Sequence, residues 1–208
     1  MAVAARALDA GPAAQAGRTA GWADGRTAVS KRYTIVTGGP GSGKTSLLEA
    51  LADQGLACMP EAGRAIIRDQ VAIGGSALPW IDREAFAAQM LGWELRSWHE
   101  AEQHTGPVLF DRGIPDVIGY LQLCGLAVPA HLWRAAGHFR YHPRVFIAPF
   151  WPEIFAQDAE RKQSPAEAEA THRAMMGVYG KLGYELVPLP LASVARRAGF
   201  VRDRLPLI

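Results

Sequence analysis

Short apolar runs alternate with longer stretches of helical period along most of this chain. Tyr33-Thr34-Ile35-Val36-Thr37 is a β-rich run that a glycine cluster ends. Ser46 to Gln54 then places Leu47, Leu48 and Leu51 at helical spacing. Leu56-Ala57-Cys58-Met59 is a second short run, stopped by Pro60, and Glu61 to Val71 reads as a helix. Gly74-Gly75-Ser76 and Pro79 break the chain, and Asp82 is placed to cap a long helix running to about His104. Val108-Leu109-Phe110 is a third run, followed by helical stretches from Ile114 to Cys124 and from Pro129 to His138. Arg144-Val145-Phe146-Ile147-Ala148 is the fourth. Ser164-Pro165-Ala166-Glu167 is a capping box that starts a helix reaching about Leu182. Tyr184-Glu185-Leu186-Val187-Pro188 is the fifth run, and a last helix covers about Ala192 to Arg204.

None of the five runs alternates polar with apolar. Strands of that kind, separated by helices, predict an α/β fold: a five-stranded parallel sheet with helices on both faces. Such sheets bind ligands beyond the carboxyl ends of their strands, so functional residues are expected directly after each run.

The chain has 208 residues, enough for one domain with a substantial core. Residues 1–30 differ from the rest: eleven are Ala and no apolar period persists, so a weakly ordered tail is expected before a domain spanning 31–208. The net charge of +2 argues against an electrostatic nucleic-acid module. No apolar stretch approaches a membrane span and no compact leader opens the chain, so a cytoplasmic protein without membrane partners is expected. The two cysteines, Cys58 and Cys124, and the six histidines form no metal-ligand spacing.

Of 22 basic residues only four are Lys, so a lysine inside a motif is informative. Gly38-Gly39-Pro40-Gly41-Ser42-Gly43-Lys44-Thr45 matches G-x-x-x-x-G-K-[ST] in full. The glycines let backbone N–H groups converge on phosphate oxygens, and the next helix aims its N-terminus at the same anion. The expected nucleotide-holding set is therefore Gly38, Gly39, Pro40, Gly41, Ser42, Gly43, Lys44, Thr45 and Ser46. Lys44 places a charge on the β- and γ-phosphates, and the Thr45 hydroxyl is a Mg²⁺ ligand.

Glu61 and Arg64 follow the second run at i, i+3, on one helix face. A carboxylate there can accept a proton from an attacking hydroxyl; the structural alternative is an acid favouring the helix dipole. Asp111 and Arg112 follow the third run. The Asp is placed to hold Mg²⁺ and the Arg to neutralise a transferring phosphoryl group; the structural alternative is an acid capping the helix from Ile114 to Cys124. Asp158, Glu160, Arg161 and Lys162, in a charged stretch after the fourth run, read either as a lid that closes its basic residues over the phosphates or as a solvated charged run. On the 82–104 helix, Phe86 and Trp93 read as core, and Gln89 is a candidate for hydrogen-bonding a polar acceptor.

With these motifs the chain resembles a family of small bacterial phosphate-loop proteins known as AAA-family ATPases. That family is similar to the ribosylnicotinamide kinase domain and, more distantly, to the deoxynucleoside kinases. The resemblance covers about 32–204 and rests on Gly38 to Thr45, Pro60 to Arg64, Phe110 to Asp116, Trp151 to Gln163 and Leu182 to Pro190. It implies a P-loop NTPase three-layer sandwich with strand order 2-3-1-4-5. It also implies Glu61 as base, the Asp111–Arg112 pair after strand three, Arg161 as lid arginine and Gln89 as a base-reading residue. The chain departs from the nucleoside kinases, with Pro-Glu-Ala for Pro-Glu-Pro and Asp-Arg-Gly for Glu-Arg-Ser, which leaves the acceptor open.

Three functions fit the motifs. The leading one is a kinase transferring the γ-phosphoryl group of ATP·Mg²⁺ to a hydroxyl of a nucleoside-like or other small metabolite. The alternative is an ATP-hydrolysing switch acting on a protein partner. A guanine-specific switch is disfavoured, because the chain has no Asn for an Asn/Thr-Lys-x-Asp motif. The third, a nucleotide binder without chemistry, conflicts with the joint presence of Lys44, Thr45, Asp111 and Arg112. Oligomeric state is open.

Overall fold

The computed structural model describes residues 28–155 and 164–206. Five strands form one sheet: β1 (Tyr33–Gly38), β2 (Ala57–Met59), β3 (Val108–Asp111), β4 (Arg144–Ala148) and β5 (Glu185–Pro188). Their order is β2-β3-β1-β4-β5 and every neighbouring pair is parallel. This is the order the resemblance implies. Central β1 pairs Val36 with Asp111 on one side and with Phe146 on the other. A separate parallel pair, Ala28–Val29 with Phe139–Arg140, carries the described chain three residues ahead of Lys31.

The helices are α1 (Lys44–Ala52), α2 (Ala62–Ile73), α3 (Arg83–Glu100), α4 (Ile114–Leu123), α5 (Ala130–His138), α6 (Pro165–Lys181) and α7 (Val194–Arg202). Their starts follow local chemistry. Asp82 caps α3 by accepting from Ala85 N at 2.9 Å. At α6, Ser164 Oγ accepts from Glu167 N at 3.3 Å while Glu167 Oε2 accepts from Ser164 N at 2.6 Å, the reciprocal box expected there. α1 begins at Lys44, two residues ahead of the expected Ser46. Its cap is Gly43, in the left-handed region with φ 71°, and no side chain satisfies the first turn. Those free N–H groups are what an anion requires.

Alternation along the strands divides the core in two. Tyr33, Ile35, Val108, Phe110, Val145 and Ile147 face a core shared with α2, α3, α4 and α6. Val36, Leu109, Phe146 and Ala148 face a smaller one made with Leu47, Leu48 and Leu51 of α1 and Ala198 and Val201 of α7. With both faces covered, strand and helix side chains are fixed and the strand ends become a rigid rim. Among the described residues, no helix is long and apolar enough to cross a membrane.

Phe110 packs its ring 5.3 Å from Tyr33 and 5.2 Å from Tyr141 and is almost fully buried. Phe110→Ala is expected to lose about 3–5 kcal/mol in chemical denaturation. A loss below about 1 kcal/mol would show that this core collapses around the gap.

Candidate functional site

The segment after β1 curls over the strand end. Gly38 adopts φ 133°, and a Cβ there would collide with the carbonyl oxygen of Ala148 on β4. Lys44 is buried, and its Nζ donates to Gly39 O at 2.8 Å, with Gly38 O and Ser42 Oγ at 3.4 Å. Burial, and next the Arg112 charge, lower the Lys44 pKa to about 8, while Asp111, Glu61 and Asp116 pull it back up. The ammonium is therefore charged at neutral pH. From behind, the buried Arg197 of α7 donates from Nη2 to Ser42 O at 3.0 Å and from Nη1 to Gly43 O at 3.4 Å. A side chain at Gly43 would meet Arg197 Nη1 at 2.7 Å, so that brace depends on glycine.

After β3, Arg112 is the one non-glycine among the described residues with positive φ, at 75°. That conformation costs an L-residue about 1–3 kcal/mol and persists only when the surroundings over-determine it. Here they do. Its N–H donates to Val36 O at 3.0 Å, Nε donates to Glu61 Oε1 at 3.0 Å, and Nη1 donates to Gly38 O at 3.0 Å and Asp116 Oδ1 at 3.2 Å. Asp116 is a buried hub. It also accepts from Thr37 Oγ1 at 2.5 Å, Tyr179 OH at 2.5 Å and Gly113 N at 3.0 Å, which ties β1, α4 and α6 to the arginine.

Glu61 stands at the N-cap position of α2, after β2, where its side chain makes no capping hydrogen bond and instead lies between two guanidinium groups, Arg112 and Arg64, the latter with Nε 3.5 Å from Oε2. Burial by itself raises the Glu61 pKa, but the Arg112 and Lys44 charges and the Arg112 hydrogen bond outweigh it, leaving the carboxyl below its usual value. Asp111 goes the other way. Burial, then the Glu61 charge, push it up to about 6 despite Lys44 and Arg112.

A cavity of about 910 Å³ opens over this rim. Its wall includes Pro40 to Ser46, Glu61, Arg64, Arg112 and Asp116, so residues after three different strands meet in one space. It continues between α2, α3 and α4 past Ile67, Phe86, Met90 and Tyr120. Asp111 is buried outside this wall, and its Oδ1 has no hydrogen-bond partner. The unpartnered Asp111 oxygen and the exposed Thr45 hydroxyl suit Mg²⁺, which takes one or two protein oxygens and leaves the rest to phosphates and water. Among the described residues, no cluster of three or more His, Cys, Asp or Glu is placed to hold a metal ion.

Gln89 is exposed on α3 and is not part of the cavity wall, to which α3 contributes the exposed Arg83 and the buried Phe86 and Met90. Arg161 and its neighbours lie outside the described residues. Two contributors were not singled out by sequence reasoning. Asp116 carries a signal, its i, i+4 spacing from Arg112. Arg197 has none, standing over 150 residues from the loop it braces.

A parallel sheet in this order, with a glycine loop joining β1 to a helix and acids and arginines at the neighbouring strand ends, defines the P-loop kinase-like fold. The chain belongs to the AAA domain family, whose model matches residues 33–197. No curated protein matches it by sequence. Among solved structures, deoxyadenosine kinase from M. mycoides aligns with TM-score 0.61 at 11% identity, covering 83% of this chain and 98% of that one. NadR protein in complex with NR aligns with TM-score 0.65 at 16% identity, covering 85% of this chain and 52% of that chain. Thymidylate kinase from Candida albicans aligns with TM-score 0.57 at 10% identity, covering 83% and 89%. At these identities the likeness is one of fold.

The raised Asp111 pKa is a stability statement. Its charge is held at a cost above about pH 6 and released as the carboxyl protonates toward its unfolded value of 3.8. Asp111→Asn is therefore expected to stabilise the nucleotide-free protein at pH 8 by about 1–3 kcal/mol, and by roughly half as much at pH 5. Denaturation at the two pH values checks this; a destabilised variant at pH 8 contradicts a buried carboxylate charged at a net cost.

Proposed function

We propose that this protein transfers the γ-phosphoryl group of ATP to a hydroxyl of a small, ring-bearing acceptor. The observation that supports it most is the hydrogen-bonded pair of Glu61 and Arg112, at 3.0 Å, on the wall of the cavity that the phosphate loop opens into. The fold is that of proteins named as deoxyadenosine, thymidylate and, with bound NR, NadR structures, which agrees with a small-molecule acceptor.

The phosphate loop amides and Lys44 hold the β- and γ-phosphates, and release of the Lys44 amine from Gly39 O toward the phosphates is part of binding. Thr45 and Asp111 are the residues that would hold Mg²⁺, which neutralises charge on the phosphate oxygens when bound. The acceptor enters along α2 and α3 with its hydroxyl at Glu61. The acceptor oxygen forms a bond to the γ-phosphorus while the bond from that phosphorus to the bridging oxygen breaks. ADP leaves with that electron pair, and the hydroxyl proton passes to Glu61. Because Arg112 and Lys44 hold its pKa down, Glu61 is ionised throughout the neutral range and free to take that proton. Its low basicity suits a loose transition state, in which the proton moves late. Arg112, already oriented by Asp116, presents its charge where the transferring group gains negative charge.

The test is ADP release from ATP·Mg²⁺ with and without pooled nucleosides and hydroxyl metabolites, with Lys44→Ala as the blank. Stimulation by a pool supports transfer; slow hydrolysis that no pool changes favours the switch reading instead. Glu61→Gln keeps an acceptor for Arg112 Nε but cannot take the proton, so kcat with an acceptor is expected to fall about 10²–10⁴-fold with ATP affinity little changed. A parallel loss of ATP affinity would make Glu61 structural. Since the Glu61 pKa is lowered, this group is expected to leave kcat flat from neutrality down past its usual carboxylate range.

A further inference from the structure

The far arm of the cavity is more basic than a neutral acceptor requires. Arg64 and Arg68 stand one turn apart on α2 at i, i+4 and both line the arm. Arg83 lines it from the exposed start of α3, where its Nε donates to Pro79 O at 3.1 Å. The acids on the cavity wall are Glu61, Asp116 and Glu167. Asp116 is filled by four donors and Glu167 caps its own helix through Ser164. Glu61 serves Arg112 and the Arg64 Nε. Among the described residues, no carboxylate pairs with Arg68 or Arg83.

One buried donor on the same wall lacks a partner: Arg64 Nη2. The Tyr120 ring meets Phe86 edge-on at 5.4 Å, which places it in the arm, and its hydroxyl interacts first with the Cys124 side chain and then with the Arg83 charge. Buried polar groups are nearly always hydrogen-bonded, so an unpartnered donor on a cavity wall marks where a ligand supplies an acceptor. Phe86, Met90 and Ile67 make the rest of the arm apolar.

We infer that the acceptor is an anion-bearing ring compound. Its ring packs on Phe86 and Met90. Its anionic group, a phosphate monoester or a carboxylate, is held by Arg64 Nη2, Arg68 and Arg83. The hydroxyl that is phosphorylated lies at the Glu61 end. This rests on the proposed transfer reaction and narrows its substrate class. Arginine is suited to the role because its planar fork matches both oxyanions.

Two matched pairs test it in the ADP-release assay: a nucleoside and its 3′-monophosphate, which keep the same free 5′-hydroxyl, and a hydroxymethylpyridine and its ring-carboxylated counterpart. In at least one pair the anionic member is expected to show a kcat/KM about 10–100-fold above its neutral partner. The pair that responds separates phosphate from carboxylate. In the Arg68→Gln/Arg83→Gln double variant, checked for folding by its melting curve, that preference is expected to shrink to about threefold or less, through the acceptor KM rather than kcat. Arg68→Lys is expected to keep part of it. Neutral members used as well as anionic ones would overturn the anion seat while leaving the kinase reading intact, as would a preference that persists in the double variant. No stimulation by any of the four above the Lys44→Ala blank, joined by no stimulation from the metabolite pools, would remove both.

Discussion

The site depends on Arg112 being held in a conformation it would not choose. Its left-handed backbone, at φ 75°, is sustained by a side chain bonded at once to Glu61, Gly38 O and Asp116. Those three partners belong to the ends of β2 and β1 and to the first turn of α4. The guanidinium therefore sets the distance between the proposed base and the phosphate loop, and Asp116 sets the guanidinium. Buried ion networks of this kind add little net stability, since desolvation offsets most of the attraction. What they add is geometry, because removing one member leaves the others buried and uncompensated. Thr37 and Tyr179 extend the constraint into the sheet and α6, so the rim is stiff before any ligand arrives.

The same network drives the two carboxylates apart in charge. Glu61 is driven to its ionised form by the cations around it, whereas Asp111, deeper and with an unpartnered oxygen, is driven toward protonation. Two carboxylates separated in this way suit a proton acceptor and a cation ligand. Lys44, meanwhile, rests on loop carbonyls that hold the loop's shape.

Much of this was legible in the chain. Unalternating apolar runs read as buried parallel strands, because a strand covered on both faces needs no polar side; all five lie within one or two residues of their expected ends. The Gly38–Thr45 loop was legible because each of its fixed positions answers a backbone or charge requirement of a phosphate. Glu61, Arg64 and Arg112 were found by their place at strand ends, and the structure brings them to one cavity. Gln89 was placed on the right helix, but which side of a helix turns inward is decided by its neighbours, and α2 and α4 select Phe86 and Met90. Arg197 could not be found, since its role comes from α7 crossing behind α1 in three dimensions. The charged stretch containing Arg161 lies outside the described residues.

The most direct test of the account follows the phosphoryl group itself. ATP labelled at its γ-phosphate would be incubated with the protein, Mg²⁺ and a deproteinised metabolite mixture, and the label then located by chromatography. Label is expected in an organic phosphate whose formation requires both Lys44 and Glu61. Label recovered only as inorganic phosphate, at a rate independent of the mixture, would contradict it.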